Sequence, residues 1–98
     1  MDKEQALKIA KKYKEIVAEK LPLKAVDVYG SYSKGNYTEG SDIAIAVVVD
    51  KLNDNFFEDT PLLWKLLRKI SLMIEPVLLT EDESNPLYYD IIRTGTLV

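Results

Sequence analysis

Gly30, Ser31, Lys34, Asp42 and Glu75 are the residues of this 98-residue chain whose types and spacing suit chemistry. A short hydrophobic run, Val26-Asp27-Val28-Tyr29, leads into Gly30-Ser31. Glycine lets backbone approach a ligand closely, and successive N–H groups at such a turn form a concavity that takes an anion. Lys34, in the same turn, offers a positive charge to that anion. Asp42 opens the apolar run 43–49, so its carboxylate stands at a strand mouth where a divalent cation would meet the anion. The chain has no histidine and no cysteine. Any metal must then be held by carboxylates, which select hard cations such as Mg²⁺ over zinc.

Composition bounds what these residues can serve. A 98-residue chain with 47% hydrophobic content suits one domain, residues 1–98, with one modest core. No segment has the apolar length to span a bilayer, and the N-terminus lacks the build of a signal peptide. Absence of cysteine fits a cytoplasmic protein. A net charge of −3 disfavours a surface that tracks nucleic-acid phosphates. Tyr32 and Tyr37 are therefore expected in a small-molecule pocket or in solvent rather than under stacked bases.

The elements that must position these residues are legible from periodicity. Asp2 with Gln5 reads as a capping box, and Ala6, Ile9, Ala10, Tyr13, Ile16 and Val17 then share one helical face. Residues 24–29 read as a first strand and 42–49 as a second. In the second, a period of two separates Ile43, Ile45, Val47 and Val49 from Asp42, Ala44, Ala46 and Val48. Apolar residues on both sides predict a central strand. A helical turn is expected near residues 33–36. Residues 50–59 read as a polar loop holding Phe56-Phe57, with Thr60-Pro61 starting a helix whose buried stripe is Leu63, Leu66, Leu67 and Ile70. Trp64 reads as core or interface packing. A third strand is expected over 72–79, where Pro76 removes a ladder donor and so suggests an edge position or a bulge. Asn85-Pro86 opens a last helix that Gly95 closes, and residues 96–98 could add a strand.

Helix, strand, Gly30-Ser31 turn, strand with Ser41-Asp42, helix, and strand with Ile74-Glu75-Pro76 together resemble the DNA-polymerase-β-like nucleotidyltransferase superfamily. The likeness is to its minimal stand-alone form and covers nearly the whole chain, including the closing Ile91-Ile92-Arg93-Thr94-Gly95. It implies an α/β (α+β) nucleotidyltransferase fold, with a helix-strand-helix-strand-helix-strand core and a small mixed sheet packed by helices. It also implies that Gly30 and Ser31 hold a nucleoside triphosphate such as ATP, to which Lys34 could offer its charge. Asp42 matches the first of three carboxylates that bind two Mg²⁺ ions and act in catalysis. The implied ancestral reaction is Mg²⁺-dependent transfer of a nucleoside monophosphate to a hydroxyl acceptor.

The family pattern then departs. Where Asp-x-Asp is expected, this chain has Asp42-Ile43-Ala44. The third acid of the family lies just inside the third strand, and in the register set by Ile74-Glu75-Pro76 it falls on Ser71. Glu75 would then lie about 13 Å from that position, at about 3.3 Å per strand residue. It is a metal ligand only if it, rather than Ser71, stands beside Asp42. On this reading two of three metal carboxylates are missing and activity is weak or lost. The resemblance also implies an alternative: a non-catalytic antitoxin-type module paired with a helical HEPN-class partner. Phe56, Phe57, Trp64, Tyr88 and Tyr89 are its candidate contacts. A homodimer through an edge strand or the Trp64 helix is also open.

Overall fold

Helix α1 (Lys3–Ala18) begins where the capping box placed it: Asp2 accepts the Gln5 N–H at 2.8 Å and Gln5 accepts the Asp2 N–H at 3.0 Å. The computed structural model describes residues 1–50, 56–82 and 84–98, with side chains left out for residues 56–58. Ala6, Ala10, Tyr13 and Val17 form the fully buried stripe of α1, flanked by half-buried Ile9 and Ile16. The Tyr13 phenol donates to the Leu63 carbonyl at 2.7 Å, and burial pushes its pKa well up.

Four strands, β1 (Leu23–Tyr29), β2 (Ile43–Val49), β3 (Ile74–Thr80) and β4 (Thr96–Leu97), form one mixed sheet in the order β3-β2-β1-β4. β1 runs antiparallel to β2 and β4, whereas β2 and β3 are parallel. The expectation that β2 is central therefore holds, and so does the edge position of β3. The Ile43 N–H donates to the Met73 carbonyl at 2.7 Å. Alternation along the strand then turns the backbone polar groups of Glu75 toward β2 and those of Pro76 outward, so the missing proline donor falls on the free edge.

One sheet face carries Val26, Val28, Ile43, Ile45, Val47 and Ile74, buried against α1 and against Leu63, Leu66 and Leu67 of α3 (Phe56–Leu67). The other face is covered in part by α4 (Pro86–Thr94), whose Ile91 packs with Ala46 and Leu79. Asn85 caps α4 by accepting the Leu87 N–H at 3.0 Å. No helix among the described residues is long and apolar enough to cross a membrane.

Two expectations are corrected and one is narrowed. α3 starts at Phe56, so Pro61 lies inside the helix and the Thr60 hydroxyl, buried without a protein partner, is no cap. Proline keeps a helical φ at the loss of one backbone bond, and the packing of the leucine stripe overrides that loss. Of the two readings of Trp64, core or interface, its 46% exposure removes the core one. The third strand begins at Ile74, leaving Leu72 in the preceding turn. The side chains of Phe56 and Phe57 lie outside the described residues.

Candidate functional site

The site forms where β1 stops. Tyr29, its last residue, pairs with Ala44 of β2, and the chain turns at Gly30 with φ 72°. An L side chain rarely adopts that conformation, whereas glycine does so freely. The turn packs against β2, since a Cβ on Gly30 would stand 3.6 Å from the Cβ of Ala44. A single helical turn, α2 (Ser31–Lys34), follows, closed by Lys34 N–H to Gly30 C=O at 3.0 Å and Gly35 N–H to Ser31 C=O at 2.9 Å. The first N–H groups of such a turn have no acceptor within it and are free to face an anion.

A period of two puts Asp42, Ala44 and Ala46 on the sheet face opposite the main core. Glu75 is the register partner of Ala44 across the parallel β2–β3 pair and shares that face. The Cα atoms of Asp42 and Glu75 are then roughly 8 Å apart, from strand spacing and rise. Both carboxylates are exposed. This corrects the expected register. Glu75 is the second residue of β3, whereas Ser71 stands in the turn before it and accepts the Met73 N–H at 3.1 Å. Ala44, which lies between Asp42 and Glu75 on this face, offers no side-chain oxygen.

Two hard oxygen donors on adjacent strands fit one Mg²⁺ ion that takes its remaining ligands from phosphate and water. They do not fit two ions, which need bridging acids. Among the described residues no group of three or more acids converges.

The rest of the site mixes expected and unexpected residues. The Lys34 ammonium lies 3.7 Å from the Asp90 carboxylate, and both are about half exposed, a weak pair. Ser33 donates to the Thr94 carbonyl and shares a hydrogen bond with the Thr96 hydroxyl at 2.9 Å. α2 is thus moored to the end of α4 and to β4. Tyr32 is fully buried, stacked on Tyr37 with centroids 4.7 Å apart, and does not line an open pocket. Tyr29, overlooked in the sequence, flanks Ala44 on the side opposite Glu75, and burial, with Glu75 second, raises its pKa. Alternation with buried Val26 and Val28 was the signal that could have found it. Asp27 shares that face, half-buried beside Ala46, and burial raises its pKa too. Nothing in the sequence signalled Ser33 or Asp90.

Comparison with known proteins agrees with this fold. The model of the family Polymerase beta, Nucleotidyltransferase matches residues 11–98. Two proteins of Methanocaldococcus jannaschii, provisionally named protein adenylyltransferases, are each 39% identical to the chain. The first match spans 63% of this chain and 62% of the relative's length, the second 68% and 71%. A crystal structure of a protein provisionally described as a nucleotidyltransferase, from Sulfolobus solfataricus, superposes with a TM-score of 0.69 at 27% identity, covering 97% of this chain and 80% of that one.

Proposed function

The chain belongs to the polymerase beta nucleotidyltransferase family, and from that premise we propose that it binds one Mg²⁺–nucleoside triphosphate, ATP in the first instance, and transfers the nucleoside monophosphate only weakly. The observation that carries this reading is the packing of Gly30 against Ala44, with Asp42 on the same strand face and Glu75 on the next strand. The Gly30-Ser31 turn and Lys34 take the β- and γ-phosphates. Asp42 and Glu75 would hold the ion, which would neutralise charge developing on the phosphate oxygens. Ala44 supplies no oxygen, so the second ion that would sharpen the attacking hydroxyl has no bridging ligand. Losing one group that stabilises transition-state charge slows transfer by roughly 100- to 1000-fold. A hydroxyl on a protein is the acceptor that the names of the relatives suggest. A cytoplasmic location, where ATP and Mg²⁺ are supplied, belongs to the same reading.

Calorimetric titration of Mg-ATP tests it. Binding should be measurable in the parent protein, lost in Asp42→Asn and weakened in Glu75→Gln. Equal heats in the parent and Asp42→Asn would place the nucleotide elsewhere. A second reading, a non-catalytic antitoxin-type module for a helical HEPN-class partner, is favoured by Trp64, Tyr89 and Ile92, which are 46–49% exposed. Tyr88, buried at 9%, is no candidate contact. Co-purification with a helical protein encoded next door supports that reading, and a chain that stays alone beside such a neighbour defeats it.

A further inference from the structure

We infer that the β3 side of the site is the acceptor's entrance and that it receives an acidic protein segment presenting a hydroxyl beside an apolar side chain. The inference rests on the nucleotide reading above. Gly30 and Ser31 lie on the β1 side of Asp42, and Glu75 lies on its β3 side. A triphosphate tail seated on the turn therefore points its leaving pyrophosphate toward β1. Displacement at phosphorus is in line, so the attacking oxygen comes from the opposite direction, over Glu75 and the start of β3. In that step the acceptor oxygen bonds to the α-phosphorus while the bond between that phosphorus and the α–β bridging oxygen breaks. Pyrophosphate leaves with the electron pair, and the hydroxyl proton passes to water.

The surface beside that approach is apolar and basic. Turn 68–73 carries α3 into β3, and because β3 is parallel to β2 the turn stands at the same end of the sheet as Asp42. Leu72 in this turn is 79% exposed, the most exposed large apolar side chain among the described residues. Arg68 and Lys69 are exposed and have no ion-pair partner among the described residues, whereas Lys8 and Lys34 each have one and Lys24 has two. Lys65, one helical turn earlier, is likewise exposed. In a chain of net charge −3 this gathers exposed positive charge within a few residues of an exposed apolar side chain, complementary to an acidic segment. α3 packs on the face opposite Asp42 and Glu75, so acids that meet Arg68 and Lys69 stay clear of the site's own carboxylates. A polynucleotide would also bring a hydroxyl and negative charge. These few cations are fewer than a phosphate-tracking surface requires, and Leu72 stacks no base.

A fluorescein-labelled random glutamate–tyrosine copolymer, read by anisotropy with and without Mg-ATP, tests the inference on the whole protein. The copolymer should bind, and a lysine–tyrosine copolymer should not. The double variant Arg68→Glu/Lys69→Glu should bind it about tenfold more weakly, as expected for reversing two exposed charges, and Leu72→Ser several-fold more weakly. Mg-ATP affinity by calorimetry should stay unchanged in both variants. Equal binding by the charge-reversed variant, or by the lysine copolymer, overturns the proposal. So does displacement by an oligoribonucleotide with a free 3′ hydroxyl at lower concentration than the unlabelled copolymer. Failure of Mg-ATP to bind the parent removes the nucleotide reading and this inference together. Intact Mg-ATP binding without copolymer binding removes only the inference.

Discussion

Along β2, Ile43, Ile45 and Val47 are sealed into the main core, while Asp42 and Ala44 on the other face are left partly open beside Glu75. One strand thus contributes alternate residues to stability and to chemistry. On the packed face each side chain is enclosed, so removing atoms leaves a cavity. On the other face Ala46 and Val48 are also buried, but Asp42 is exposed and Ala44 half-buried beside the Gly30 turn. Substitutions on the two faces should therefore separate folding from binding.

The largest stability effect belongs to the packed face. Ile45→Ala, at a position with no exposure, should cost about 2–5 kcal/mol in denaturant unfolding. Its Mg-ATP affinity should stay near the parent value under native conditions. Asp42→Asn should do the reverse: a roughly 100-fold loss of Mg-ATP affinity with unfolding free energy within about 0.5 kcal/mol of the parent. If Asp42→Asn unfolded as readily as Ile45→Ala, the division between faces would be wrong.

Next in size is Tyr13→Phe, which strips the Leu63 carbonyl of its buried donor. Chemical denaturation should register a loss of about 1–2 kcal/mol, with nucleotide binding untouched. Asp27→Asn should be smallest and of opposite sign. Burial holds the Asp27 pKa above its ordinary value, so the folded state binds its proton more tightly than the unfolded state. Below the unfolded value both states are neutral and nothing is lost. As pH rises through that value to the folded one, the parent loses stability, and the loss is complete above the folded pKa. Asp27→Asn should lack that decline and be slightly more stable than the parent at neutral pH. An identical slope in both proteins would show that Asp27 is not the group titrating.

Much of this division could be read from local patterns. The Asp2–Gln5 box, the alternation of β2, the Asn85-Pro86 start of α4 and the Gly30 turn all depend on a few neighbouring residues, and all stand where periodicity and capping put them. The early start of α3 was hidden because Pro61 carries a start signal that tertiary packing overrode. The β2–β3 register was hidden for a different reason. It depends on how turn 68–73 delivers the chain to the sheet, and no local pattern records that, so Ser71 was aligned where Glu75 stands. The mooring of Ser33 and Lys34 to Thr94, Thr96 and Asp90 joins residues more than fifty apart in sequence, beyond the reach of any spacing rule.

Pyrophosphate release from Mg-ATP by Ala44→Asp and by the parent, with the same protein hydroxyl acceptor, tests the absent second acid most directly. The account predicts slow release by the parent and release at least about 100-fold faster once an acid is restored beside Asp42 and Glu75. A parent that turns over as fast as the variant would contradict it.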